Sequence, residues 1–266
     1  MKVGQGSAVG RRDRSRVPIR VKIKGKGMGK MEKQPYIDQL FVGKPKTVGD
    51  PNAKILMDKE WTSGIFKKPV QAPLWLGKEN LDGDGQADLK NHGGPEKAVL
   101  AYAATHYEKW QSELDNSSVQ AGAMGENFSV VGLDETNVCI GDIFEVGEAL
   151  VQVSQPRQPC WKPARRYQIL DFALRIQKSG RTGWYFRVVK EGMVKEHDTI
   201  QLIERPYPEW TIARCNEIMH EKKDDLAAAA KLAACEYLAP NWKETLTKRL
   251  QGESKSIDSR VYGPNK

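Results

Sequence analysis

The chain has 266 residues, 39% of them hydrophobic, with seven tryptophans, which is enough to build a packed core of one large or two smaller domains. No apolar run reaches membrane-spanning length and no signal-peptide pattern opens the chain, so a membrane partner is not expected. The formal net charge of +8 suggests nucleic acid until it is located. Residues 1–33 hold eleven Lys and Arg against two acids, or +9, and the remainder carries −1. The body is nearly neutral, and nucleic acid is not the partner it predicts.

The basic head is rich in Gly and poor in apolar residues, which predicts a disordered leader over 1–33. It reads as an appended leader, or as an upstream start ahead of Met28 or Met31, and is set aside from fold reasoning. The body then predicts a barrel-like domain over 34–208, a three-helix unit over 209–252 and a polar tail over 253–266.

"YIDQLFVGK" predicts a first strand, and residues 46–73 short strands between Gly and Pro punctuation. "NLDGDGQADLKNHGGPEKAV" predicts a long polar loop. Its acids fail as a calcium loop, because Ala87 stands where Gly is needed and Gly93 where Glu is needed; solvated turn acids are expected instead. From Pro95 the spacing of Val99, Tyr102, Ala103, His106, Tyr107 and Trp110 predicts one helix face. "NFSVVGL", "DIFEVGEALVQVSQ", "WYFRVVKEG" and "DTIQLIERP" predict strands, with a short helix over 170–178. Several short strands and few helices point to a mainly β fold. After Pro208, three helical stretches follow, with Thr211, Asp224 or Asp225, and Asn241 as expected N-caps.

Four places can carry chemistry. "HGGPEK" sets His92, Gly93 and Gly94 before the expected helix, where positive φ and free N–H groups can make an anion cradle that Lys97 can reinforce; taken by itself, the motif reads first as an ordinary tight turn. Glu126 and Asn127, at the mouth of a strand, can hold a polar ligand or cap a turn. "QVSQPRQPCWKPARR" surrounds Cys160 with Arg157, Lys162, Arg165 and Arg166, which favours thiolate, the nucleophilic and metal-ligating form. Pro156, Pro159 and Pro163 there argue against a regular helix or a central strand. Cys139, Cys215 and Cys235 fall in strand or helix patterns and read as packing residues. The four cysteines show no CxxC pair, so reduced thiols in a cytoplasmic protein are expected.

"HGGPEKAVLAY", "GENFSVVGL", "GDIFEVGEALVQVSQPRQPC" and "DTIQLIERP", in that order, resemble the MOSC domain, the molybdenum-cofactor sulfurase C-terminal module, from about Tyr36 to Pro206. The three helices resemble those of the YiiM-type family of hydroxylaminopurine-resistance proteins. The resemblance implies a β-barrel with a few helices plus a small α-helical unit, and a bound molybdenum cofactor (molybdopterin). It implies Cys160 as catalytic residue and metal ligand, with Ser154, Gln155, Arg157, Lys162, Glu126, Asn127 and the "HGGPEK" residues around the cofactor. It implies reduction of small N-hydroxylated compounds, such as 6-hydroxylaminopurine, to amines. No Gly-rich nucleotide fingerprint or ferredoxin-like cysteine cluster is present, so a separate flavin or iron–sulfur reductase is the expected electron donor. A sulfur-carrier or cofactor-delivery protein with a Cys160 persulfide is the alternative. A cysteine hydrolase using His92 or His106 as base is a further rival. One departure stands out: "EHDTI" has His197 where the family often has Gly, and a left-handed turn variant is expected there.

Overall fold

The computed structural model describes residues 34–253 and 256–266, so the expectation for the leader lies outside the described residues. Twelve strands follow in chain order: β1 Tyr36–Val42, β2 Lys46–Val48, β3 Trp61–Ser63, β4 Lys68–Pro69, β5 Leu74–Leu76, β6 Val99–Ala103, β7 Phe128–Val131, β8 Ile143–Val146, β9 Ala149–Pro156, β10 Trp184–Lys190, β11 Gly192–Val194 and β12 Ile200–Glu204. Eight of them form one sheet in the order β12-β8-β9-β10-β6-β7-β1-β4. β12, at one end of this order, meets the start of β1 near the other: Ile200 N–H donates to the Pro35 carbonyl at 2.7 Å, and His197 N–H to the Ile37 carbonyl at 2.8 Å. These bonds curl the sheet into a barrel and leave few open edges. His197 takes φ 66°, as its place in the turn before β12 requires.

Alternation along β8 and β10 turns Phe144, Val146, Trp184 and Phe186 into the barrel, where all are buried. Emptying a site such as Trp184 in so dense an interior costs about 3–5 kcal/mol. The helices are α1 Leu89–His92, α2 His106–Leu114, α3 Trp161–Tyr167, α4 Phe172–Ser179, α5 Ile212–Asn216, α6 Leu226–Ala233, α7 Pro240–Leu250 and α8 Asp258–Val261. A π-helical turn, Glu217–Glu221, continues α5. Ile212, Leu232, Trp242 and Leu246 share one apolar core with the barrel interior. The helical unit is therefore laid against the barrel as part of one packed body. A second cluster joins Tyr102, Trp110, Ala164 and Phe172 under α2, α3 and α4.

Several expectations are corrected. The helix expected from Pro95 is a single 3₁₀ turn, Pro95–Lys97, followed by strand β6; the helix proper begins at His106. All five residues of β6 are buried, and a strand covered on both faces shows no alternation to betray it. The proline-rich stretch contains both excluded structures. Pro156 ends β9, a central strand, opposite Trp184 and beside a register shift, where a missing N–H is tolerated. Pro163 is the third residue of α3, where the N–H has no intrahelical partner in any case. Asn241 does not cap α7, which starts at Pro240 after Ala239; Thr211 and Asp225 do cap, accepting from Arg214 and Ala228 N–H. Asp84, expected as a solvated acid, is 3% exposed and accepts from Gly43 N–H, Asn127 Nδ2 and Lys67 Nζ. Within the polar tail, residues 256–266 lie against the α3 and α4 region: Arg260 donates to the Pro159 carbonyl and to Gln177 Oε1, Asn265 donates to the Trp161 carbonyl, and Val261 and Asn265 are buried. Among the described residues, no helix is long and apolar enough to cross a membrane.

Candidate functional site

The site forms where two distant segments meet. Asp88 caps α1 by accepting from Asn91 N–H at 3.1 Å, and this single turn carries His92 at its end. Gly93 is extended, at φ −129°, and only Gly94 takes a positive φ, 88°. Of the two glycines expected to turn left-handed, one does so. The cradle opens a 3₁₀ turn and not a helix, so the dipole argument for it lapses. Lys97 Nζ donates back to the Asn91 carbonyl at 2.7 Å, closing the turn on itself.

The second segment is the end of β9 and the start of α3. Arg157 N–H donates to the Gly183 carbonyl at 3.0 Å, which holds the chain beside β10 as it leaves the sheet. Cys160 is then the extended residue just before α3, and it is 8% exposed. Its Sγ lies 3.5 Å from His92 Nε2. His92 Nδ1 in turn lies 3.2 Å from Lys162 Nζ and 3.4 Å from Asp88 Oδ2. Nδ1 therefore faces both a donor, the Lys162 ammonium, and an acceptor, the Asp88 carboxylate, while Nε2 points at the sulfur. Burial opposes the thiolate, but the His92 hydrogen bond and charge, the Arg157 guanidinium and the Lys162 backbone N–H outweigh it, and the thiol falls to about 6. Elsewhere burial prevails: Cys139 rises to about 11, and Cys215 is pushed well above the ordinary value, in spite of Arg205 and Arg214 nearby. All four cysteines are unpaired.

Two chambers open on this thiol and share His92, Lys97, Cys160, Lys162 and Tyr185. The inner one, about 60 Å³, adds Arg157, Asn127 and Lys67. The outer one, about 330 Å³, adds Gln155, Asp88 and residues of the helical unit. Gln155 is 1% exposed and, among the described residues, neither atom of its amide makes a hydrogen bond; Arg157 is 4% exposed and its Nη1 makes none there either. Buried polar groups are normally paired, so these side chains are set up for a partner that the described residues do not supply.

Not every expected site residue faces the thiol. Glu126 is fully buried and lines neither chamber. It accepts from Gly122 N–H at 2.7 Å, Met124 N–H at 3.2 Å and the Tyr107 hydroxyl, and burial raises its pKa. Ser154 lies beneath the site, donating to the Glu96 carbonyl at 2.6 Å and tying β9 to the "HGGPEK" turn. Asn127 borders the inner chamber, but its amide is spent on Leu100 N–H, the Phe41 carbonyl and Asp84. Of the four cations near Cys160 in sequence, Arg165 and Arg166 turn away: Arg165 donates to the Leu56 carbonyl, and Arg166 to the Ile65 and Gly122 carbonyls. His106 is not at the site; its Nε2 lies 2.7 Å from Glu135 Oε2.

Tyr185, Lys67 and Trp242 were not foreseen. Tyr185 pairs with Gln155 across β9 and β10, so it becomes readable once that register is known. Lys67, from the loop before β4, is buried against Asp84 and no spacing announces it. Trp242 looks in the sequence like any apolar residue of a helix face.

The chain carries a MOSC domain over residues 88–201 and a YiiM-like, 3-alpha helix domain over residues 210–253. It is 37% identical over 204 residues to Protein YiiM of Escherichia coli strain K12, covering 76% of this chain and 91% of that one. The crystal structure of YiiM from Geobacillus stearothermophilus superposes with a TM-score of 0.68 at 38% identity, covering 81% of this chain and 99% of that one. A Gibberella moniliformis protein named Reductase is 36% identical over 175 residues, 65% of this chain but 31% of that much longer one. A curled eight-stranded sheet, a helical unit after Pro208 and matches that span both place the chain in one family: it belongs to the YiiM-type MOSC-domain proteins.

Proposed function

We propose that the chain is a cytoplasmic, molybdenum-cofactor-dependent reductase that converts small N-hydroxylated compounds to amines. The observation that carries this reading is a buried thiol drawn down to about 6 in a chamber with unpaired polar side chains. A thiolate is a soft donor suited to a heavy metal with sulfur partners. Arg157 and Lys162 offer positive charge, and Gln155 an uncommitted amide, to a pterin and its phosphate. The residues present fit the group: Cys160 would ligate the metal, and Gln155, Arg157, Lys97 and Lys162 would hold the organic part.

When bound, the cofactor supplies two-electron redox chemistry at a site able to accept oxygen. The overall change takes R–NHOH, two electrons and two protons to R–NH₂ and water. His92 would steady the thiolate from Nε2, with Lys162 Nζ and Asp88 Oδ2 flanking Nδ1 to orient the ring. The electrons come from a separate flavin or iron–sulfur reductase. The relative named Reductase supports the class of activity, and four unpaired cysteines suit a reducing compartment.

One observation favours a second reading. Cys160, His92 and Asp88 stand in the order nucleophile, base and orienting carboxylate that a cysteine hydrolase uses. Such an enzyme works without metal. A delivery protein with a Cys160 persulfide would bind cofactor without reducing N–OH. Purified protein assayed for molybdenum, pterin and reduction of 6-hydroxylaminopurine separates all three. The reductase reading predicts metal, pterin and turnover together, and loss of turnover in Cys160→Ser with the fold intact. Full activity of the folded Cys160→Ser protein sinks it.

A further inference from the structure

The loop that leads into β10 turns at Gly183, which takes φ 72°. A Cβ there would meet the Ala101 carbonyl oxygen at 2.5 Å and Tyr102 Cδ2 at 2.9 Å, so only glycine fits. Glycine has no preference of its own for that conformation, and what holds it must come from outside the loop. The Gly183 N–H donates to Glu135 Oε1 at 2.7 Å. The Gly183 carbonyl accepts from Thr182 Oγ1 and from Arg157 N–H, both at 3.0 Å. Thr182 Oγ1 in turn accepts from Asn216 Nδ2, on α5, at 2.9 Å.

Glu135 is the costly member of this arrangement. It lies between β7 and β8, is 5% exposed and lines neither chamber. Burying a carboxyl group is unfavourable unless its oxygens are bonded, and a neutral side chain could have filled the same space. Its Oε2 is paired with His106 Nε2, which leaves Oε1 to Gly183. At the other end of the chain of bonds stands Arg157, three residues before Cys160. Its guanidinium borders the inner chamber together with the thiol, and its charge is among those that favour the thiolate. The bond from Arg157 N–H to Gly183 sets where that side chain starts from.

We propose that Glu135 is a positioning residue for the thiol: by fixing Gly183 it fixes the main chain of Arg157, and through it the guanidinium set beside Cys160. Asn216 supports the same turn from the helical unit, through Thr182. The clamp needs neither metal nor turnover, so it stands or falls separately from the reductase reading.

Amide hydrogen exchange of the full chain, resolved by NMR, reads the main chain directly. In the wild type the protection of Gly183 and Arg157 should agree within about threefold, as expected of amides that open together. Glu135→Met keeps the length of the side chain but removes the acceptor. It should speed exchange at Arg157 about tenfold, the effect of one lost hydrogen bond, while Val151 within β9 keeps its protection. Glu135→Gln retains an acceptor oxygen and should recover most of the loss at Arg157. Alkylation of Cys160 at pH 6 then closes a cycle with Arg157. Glu135→Met should slow it about threefold in the wild-type background and not at all beside Arg157→Gln. Unrelated protection of Gly183 and Arg157 in the wild type overturns the proposal without any variant. So does wild-type exchange at Arg157 in folded Glu135→Met, or a slowing of alkylation that persists beside Arg157→Gln.

Discussion

The Sγ of Cys160 lies 3.5 Å from Nε2 of His92, although 68 residues separate the two in the chain. This contact joins the end of α1 to the start of α3 and gives one of four cysteines a chemistry the others lack. Alkylation by iodoacetamide should therefore be selective. The rate at Cys160 should rise through pH 6 and level off near neutrality, while Cys139, at about 11, stays unreacted in the native protein. Peptide mapping after a short pulse at pH 7 reads this, and equal labelling of both cysteines contradicts it.

Removing the ring should undo the effect. In His92→Ala the hydrogen bond and nearby charge that oppose burial are gone, and the midpoint of the alkylation profile should move up from about 6 toward or beyond the ordinary thiol value of about 8.5. His106→Ala, which disturbs the Glu135 pair and the ring contact with Tyr102, should leave that midpoint in place. A His92→Ala profile that coincides with wild type would remove His92 from the account.

The thiol also ties stability to pH. Its folded pKa lies below its unfolded one, so the stabilisation is complete above the unfolded value and is lost as pH falls through about 6. Denaturation of wild type and Cys160→Ser, compared from pH 5 to 9, should show a wild-type advantage that grows between about 6 and 8.5. A gap that is flat or shrinks with pH refutes the assignment.

Glu126 is expected to act as a brace. Its carboxylate holds the 122–126 turn through two backbone N–H groups, and a glutamine can accept only one of them. Glu126→Gln should lower stability by about 1–3 kcal/mol in urea melts and leave the alkylation midpoint of Cys160 unchanged. A large shift of that midpoint would return Glu126 to the site.

Gly94 separates strain from crowding. At φ 88° a side chain is strained, yet a Cβ there would meet nothing within 4 Å. Gly94→Ala should cost about 1–3 kcal/mol through backbone strain alone. Gly93, extended and facing only the Leu89 side chain and its backbone, should tolerate Ala better. A thermal melt that ranks the two the other way round would contradict this.

The barrel strands were legible because most alternate or are bracketed by Gly and Pro, and the order of motifs in chain direction carried the family. β6 was not, since burial on both faces erases period two, and Val99 through Ala103 then scan as a helix face. At the site, Cys160 was legible from its cations, but only Arg157 and Lys162 of those four turn toward it. Direction is decided by tertiary packing: Arg165 stacks over Trp161, 5.3 Å from the ring centroid, and Arg166 spans to the 122–123 carbonyls. Trp242 and Arg260 were invisible because nothing local distinguishes a residue that packs from one that lines a cavity.

The sheet order also sets a timetable. β8 and β9 can pair early, being joined by a tight turn, but β9 must then find β10 across α3 and α4, and β10 find β6 with Trp184 opposite Ala101, before His92 and Cys160 can approach. Pairings of such sequence separation belong to proteins that fold in milliseconds to seconds. A refolding chain should pass through a stage in which its hairpins are formed and Cys160 still titrates as an ordinary thiol. Pulsed alkylation at pH 7 during refolding would then use the onset of fast Cys160 labelling as a clock for the moment the two halves of the barrel close.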